Sequence, residues 1–322
     1  MTTWTHAAVA TALALCAASP LLAQGYPEKP IRVVVGFPPG GAADQIARLV
    51  TAPLAEALKQ AVTVENRPGA NGNIAGDVVA KSPADGYTLL MSSGGMVSIN
   101  PHLYPTMPFD PVKDLTPVAS AASVLVYLMA RPTLPVNDAQ AFLAHVKANP
   151  GKLSYGSAGN GSSPHLAGEM MKAQAGLFAV HVPYRGAAPA LNDLMGGQID
   201  YYFDPGIGLQ AAKAGRTKLL AVGSLKRSPL FPDVPTLDEV GLKGFDADSV
   251  FGFYAPAGTP AAVVAKLNTE INRILGTAPV RDRITQLGGN ALPLAPAAFA
   301  AKALEDSKRF GALIRERGIK GD

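Results

Sequence analysis

Short β-branched or aromatic runs alternate with stretches of helical spacing along most of this chain, and no other feature constrains its fold as strongly. Ile31–Val35 is a β-branched run of the kind buried on both faces of a sheet. Pro38-Pro39-Gly40-Gly41 interrupts it, and apolar residues then recur at Ile46, Leu49, Val50, Leu54, Ala57 and Leu58, the spacing of one helix face. Pro53 has no amide to offer the Leu49 carbonyl, so a kink is expected there. Residues 62–64 and 87–91 read as the next strands. A second series follows, with strands expected at 124–129, 153–155, 178–182, 199–203 and 219–222. Helices at 139–148, 164–174, 188–195 and 209–214 alternate with them. Repeated β-α-β of this kind implies an α/β fold with mainly parallel sheets and helices on both faces.

The C-terminal part adds three expected helices. Thr236-x-x-Glu239 has the capping-box pattern. Thr259-Pro260 supplies a cap and a first-turn proline before Val263, Val264, Leu267, Ile271 and Ile274. Pro296 opens the last helix, with Phe299, Leu304, Phe310 and Leu313 on its expected apolar side. Two α/β units and a helical tail suggest two lobes with a cleft between them, and 322 residues at 48% hydrophobic suffice for the cores of both. The net charge of +4 is spread thinly, without the Lys/Arg block that tracks nucleic acid.

Residues 1–23 read as a secretory signal peptide cleaved near Ala23: the apolar run from Ala7 to Ala18 is too short to span a bilayer and a small residue follows. Cys16 is the only cysteine, and Leu15 before it does not suit lipid attachment. The mature chain then has no thiol, which excludes disulfides, cysteine nucleophiles and zinc-thiolate sites.

Candidate chemistry gathers where strands give way to helices. Phe37, Pro38, Pro39, Gly40 and Gly41 form one such junction, with Asp44 just inside the helix as a cap or a ligand acceptor. Ser157, Ala158, Gly159, Asn160, Gly161, Ser162 and Ser163 form another, with His165 two residues on. Glycines admit close backbone approach, and amides at a helix start attract a carboxylate. Plain strand-to-helix turns are the alternative at both places. The second loop is not a dinucleotide fingerprint, because its glycines run G-x-x-G-x-G, and no P-loop lysine follows. Arg185 and Asp204 lie just beyond strands, where open α/β sheets place their crevice, as does Ser92. Arg185 suits a carboxylate and Asp204 an ammonium or hydroxyl, although either reads equally as a surface charge.

Ser162 or Ser163 with His165 offers a hydrolase alternative, but there is no G-x-S-x-G elbow and no third partner in view. The mature histidines, His102, His145, His165 and His181, include no pair at metal-ligand spacing, and no carboxylate pair suggests an acid and base. Amides, hydroxyls and glycines hold an anion without transforming it. Binding is the expectation, with no cofactor and no metal.

At these loops the chain resembles the Bug family, the substrate-binding receptors of tripartite tricarboxylate transporters. The likeness is carried by Val33-Val-Val-Gly-Phe-Pro-Pro-Gly-Gly, Val64-Glu-Asn-Arg-Pro-Gly-Ala-Asn-Gly, Asp85-Gly-Tyr-Thr-Leu-Leu, Pro150-Gly-Lys-Leu-Ser-Tyr-Gly-Ser and His181-Val-Pro-Tyr-Arg-Gly, and it runs in order to Ala255-Pro-Ala-Gly-Thr-Pro. The resemblance implies a two-lobed, type II periplasmic-binding-protein-like fold of the Venus-flytrap kind. Lobe 1 is expected to comprise residues 24–124 plus 246–322, and lobe 2 residues 125–245. It also implies that Phe37 to Gly41 and Ser157 to Ser163 pinch one carboxylate from opposite lobes, partly through ordered waters. Asp44 and His165 stand at the helix starts, and Ser92, Arg185 and Asp204 belong to a more variable wall. Phe251 stands near the place where members of that family often carry Trp. The expected ligand is a mono- or dicarboxylate, aliphatic or aromatic. The expected partners are transporter membrane subunits, or for some members a sensor protein. A monomeric receptor, and not an enzyme, is the outcome this reading anticipates.

Overall fold

The computed structural model describes residues 25–319. The expected signal peptide, with Cys16, lies outside the described residues. The first sheet has six strands in the order β11-β4-β10-β3-β1-β2. They are β1 (Ile31–Val35), β2 (Val62–Asn66), β3 (Thr88–Ser92), β4 (Leu115–Val124), β10 (Ser249–Pro256) and β11 (Gly289–Ala291). The second sheet has five, in the order β7-β6-β8-β5-β9. These are β5 (Tyr127–Ala130), β6 (Ser154–Ser157), β7 (Val180–Pro183), β8 (Tyr201–Asp204) and β9 (Lys218–Val222).

Strand β1 shows why its sequence has no polar alternation. Val33 pairs in parallel with Val64 on one side and Leu89 on the other. Ile31, Val33 and Val35 join the core beneath α1 (Ala42–Leu58) and α9 (Ala261–Leu275). Val34 faces the opposite layer with Ala75 and Val79 of α2 (Asn73–Ala80) and Phe299 of α11 (Pro296–Arg317). The second sheet is sandwiched in the same way. Leu128, Tyr155 and Tyr201 pack with α5 (Ala139–Ala148) and α6 (Ser163–Ala175), and Tyr127 and Tyr202 pack with α7 (Ala187–Met195) and α8 (Leu209–Lys213). Each fully buried Val, Leu, Ile or Phe contributes about 1.5–3 kcal/mol, so four such layers hold two separate sheets.

The chain passes between the sheets twice. Strand β4 ends at Val124 and β5 begins at Tyr127, across buried Leu125 and Val126. The return runs from Val222 to Ser249. These crossing strands correct the expectation of mainly parallel sheets: four neighbouring pairs are parallel and five antiparallel. Strand β4 pairs antiparallel with β10 and β11, and the strands β5 and β10, which arrive from the other half and not through a crossover helix, run against the β-α-β strands of the sheets they enter. The passage from one sheet to the other also splits the strand expected at 124–129 into the end of β4 and the start of β5.

Other differences are local. The Thr236 capping box forms in full, with Glu239 N donating to Thr236 Oγ1 at 3.1 Å and Thr236 N to Glu239 Oε2 at 2.7 Å, yet it closes only a turn. Thr259 does not cap α9; its hydroxyl donates to the Pro256 carbonyl. Pro53 lies inside α1, which continues through it to Leu58. Leu304 is 54% exposed, and Ala303 takes the core position beside it.

Candidate functional site

Three helices begin at the cleft between the sheets, and each follows the C-terminal end of a parallel strand, where open α/β sheets place their ligand crevice. Helix α1 follows β1, α6 follows β6 and α7 follows β7. Their lengths are 17, 13 and 9 residues, and their N-cap positions are Gly41, Ser162 and Gly186. None of the three is capped by a side chain. Ser162 is chemically able to cap, but its hydroxyl donates to the Gly159 carbonyl at 2.7 Å instead. The amides and positive dipole ends of three helix starts therefore meet one space, which is the arrangement a carboxylate needs.

The walls of that space are mostly apolar. Phe37, Pro38, Pro39 and Gly41 come from the first loop, and Ala158, Ser162, Ser163 and Pro164 from the second. Gly186, Ala187 and Ala188 come from the start of α7, and Ser93, Pro205 and Phe251 are also in the lining. Among the described residues Arg185 is the one charged residue in the lining. A second recess on the far side of Phe37 and Pro38 is bordered by Gly159, Asn160 and Asn71 and shares Arg185. Gly186 has φ +113°, and a Cβ there would stand 3.2 Å from Pro38 Cγ. Glycine at this position lets the loops of the two sheets touch.

The remaining expected site residues support the loops from behind. Asp44 is buried, and its oxygens accept from Gly40 N at 3.0 Å, Asn66 Nδ2 at 2.9 Å and Arg48 Nε at 3.0 Å. Burial alone would push this carboxyl up, but the bonds from Arg48, Gly40 and Asn66 outweigh it and hold the group below its ordinary value. Ser157 is fully buried, and its hydroxyl lies 2.7 Å from His181 Nε2 and accepts from Gly159 N. His165 receives Gly161 N on Nδ1 at 3.0 Å and stacks on His181 with ring centroids 3.9 Å apart. Tyr155 also stacks against His181, at 4.8 Å. Burial, then the neighbouring His165 and Lys172, pushes His181 down to about 3, so its ring is neutral at ordinary pH.

Two expectations receive other placements. Ser92 is buried and accepts from Gly94 N within its own turn. Asp204 is fully buried, with Oδ1 accepting from Gly206 N at 2.7 Å and Gly208 N at 2.8 Å, and it does not line the cleft. Its carboxylate shapes the turn into α8, a role that a position beyond a strand end does not distinguish from ligand contact. Of the hydrolase alternative, Ser162 or Ser163 with His165, Ser162 donates to the Gly159 carbonyl and His165 Nδ1 accepts from Gly161 N. Among the described residues no cluster of His, Cys, Asp or Glu could hold a metal ion. The start of α7 is the part of the site that sequence reasoning missed. Its signal was the Tyr184-Arg185-Gly186 segment, where only Arg185 drew notice and not the amides behind it.

The chain is also similar to known proteins along most of its length. Residues 46–319 match the model of the tripartite tricarboxylate transporter family receptor. A protein of R. palustris solved with adipate superposes with a TM-score of 0.89 at 34% identity, covering 92% of this chain and 99% of that one. The periplasmic binding protein BugD gives 0.85 at 35%, covering 92% and 99%. MatC from Rhodopseudomonas palustris with bound malate gives 0.84 at 35%, covering 90% and 100%.

Proposed function

Since this chain belongs to the tripartite tricarboxylate transporter family of receptors, we propose that it captures a small carboxylate between its two lobes in the periplasm and delivers it to transporter membrane subunits. The protein is a substrate-binding receptor and not an enzyme, as its family and structural neighbours are. The observation that carries the ligand class is the meeting of three helix starts, at Gly41, Ser162 and Gly186, none of them capped by a side chain. A mono- or dicarboxylate fits this arrangement, with its acid group among the amides of Ala42, Ala43, Ser163 and Gly186 to Ala188, since Gly41 N and Ser162 N already donate to the Pro38 and Gly159 carbonyls. An aliphatic or aromatic body would lie against Phe37, Pro39, Pro164 and Phe251. Two structural neighbours bind adipate and malate, which supports the same class.

The lobes of this reading are residues 24–124 with 246–322, and residues 125–245, closing over the ligand. Export follows from the leader read at residues 1–23, and among the described residues no helix is long and apolar enough to cross a membrane. A thermal-shift screen of mono- and dicarboxylates tests the proposal. Ligand at a hundred times its Kd adds about 2.7 kcal/mol to the native state and raises the melting temperature by several degrees. A panel of organic acids that leaves the melting curve unmoved, or one acid that is consumed, refutes it.

A further inference from the structure

One side chain outside the main cleft joins the two halves behind the serine-glycine loop. Asn71 lies in the 3-10 turn Ala70–Gly72 that follows β2 of the six-stranded sheet. Its Nδ2 donates to the Gly161 carbonyl, in the loop after β6 of the five-stranded sheet, at 2.9 Å. The same amide donates to Asn100 Oδ1 at 2.7 Å. Asn100 is fully buried, and its own Nδ2 reaches the Asn71 carbonyl at 3.1 Å and Asn73 Oδ1 at 2.6 Å. Asn71 is thus aimed by a fixed asparagine network in its own half. Gly161 is held from both sides, because its N–H donates to His165 Nδ1 while its carbonyl accepts from the opposite half.

The backbone is committed to this contact. Ala70 and Asn71 have φ of +45° and +48°, consecutive non-glycine residues in the left-handed region. Asparagine tolerates that region and alanine does so at a cost, so something in the fold must favour it. Strain of this kind gathers at clamps and switch regions. Gly161 has φ +77°, and a Cβ there would lie 2.3 Å from Leu103 Cδ1, so a side chain at this position would press on Leu103.

We propose that Asn71 is a positioning residue, a latch between the lobes whose bond to the Gly161 carbonyl holds the serine-glycine loop in its ligand-ready shape and favours the closed arrangement. The latch needs no particular solute, and so goes beyond the carboxylate reading. Its test is the distance between spin labels on the full exported chain, attached through Lys81→Cys and Lys152→Cys, measured without ligand. Both positions are exposed, and the one natural cysteine is Cys16. Asn71→Gly removes the donor and relieves the left-handed backbone, but it also takes this amide from the buried Asn100 Oδ1, so its melting temperature should fall by a few degrees while the protein stays folded. It should shift the closed-to-open ratio about fivefold toward open, the worth of one neutral hydrogen bond. Asn71→Asp, which sets an oxygen against the Gly161 carbonyl, should shift it further. With adipate and malate as probes, dissociation should quicken by a similar factor. Unchanged distances in both variants overturn the latch, whatever the protein binds. Opening in Asn71→Gly with neither probe bound upholds the latch and counts against the carboxylate reading alone.

Discussion

Asp204 and Asp248 are carboxylates in surroundings that do not suit a charge. Burial raises each to about 7, and the two glycine amides on Asp204 only partly offset it. Nearby Asp246 raises Asp248 further, while Ser224, Arg309 and Ser123 pull it back. One oxygen of each, Asp204 Oδ2 and Asp248 Oδ1, has no hydrogen-bond partner among the described residues. A carboxyl whose folded value is raised contributes stability that is complete below its unfolded value and is lost as pH climbs through the folded value. The melting temperature should therefore fall between pH 5 and 8 on account of these two groups. Asp204→Asn keeps an oxygen for Gly206 and Gly208 and removes the charge. It should stabilise the protein at pH 8 by on the order of 2 kcal/mol more than at pH 5, as thermal scans at the two values would show. An equal effect at both values would contradict this. The identity of Asp204 was plain in the sequence but its surroundings were not, because burial comes from Tyr202, α7 and α8 folding over it. Glycine-rich loops, by contrast, announce themselves, since Gly40, Gly159 and Gly161 stand at positive φ where few other residues fit.

At the scale of elements, periodicity served well where one face alone is buried. Helix α5 spans Ala139–Ala148 as its spacing implied, and α9 buries Val263, Val264, Leu267, Ile271 and Ile274. It served poorly in β4, whose run Leu-Thr-Pro-Val-Ala-Ser-Ala-Ala-Ser-Val has neither alternation nor a β-branched block. Small residues are needed there because α9 and α11 press on the strand, and that pressure has no one-dimensional trace. The last helix shows the same limit, since its 22 residues serve two different surfaces and no single stripe describes it. Phe310→Ala should cost about 3–5 kcal/mol by emptying a fully packed site, whereas Leu304→Ser should change stability by less than about 0.5 kcal/mol. Urea denaturation of the two variants checks the contrast, and similar midpoints would show the burial pattern of α11 to be wrong.

For the molecule as a whole, the distribution of charge around the cleft matters more than net charge. Among the described residues Arg185 lines it and no carboxylate does. An ammonium entering this space would shed water and find no partner, which costs free energy. Glutarate should therefore bind at least tenfold more tightly than glutamate, and calorimetric titration of both would show it; equal affinities would mean that an acidic partner had been overlooked. The two-sheet plan was legible from the repeated β-α-β pattern, and the crossing strands that make each sheet mixed were not.

Helix α11 is seated on both sheets at once. Near its start Phe299 packs on Tyr254 at 4.8 Å between ring centroids, and near its end Phe310 and Ile314 lie in the core that contains Leu128 and Leu166. Arg317 reaches Glu169 of α6 at 3.7 Å. A rod fastened at both ends behaves like a leaf spring: swinging the halves apart must bend it or peel one end loose. The opening and closing proposed above would therefore be resisted at this last helix, whose contacts with both sheets include none of the residues lining the cleft.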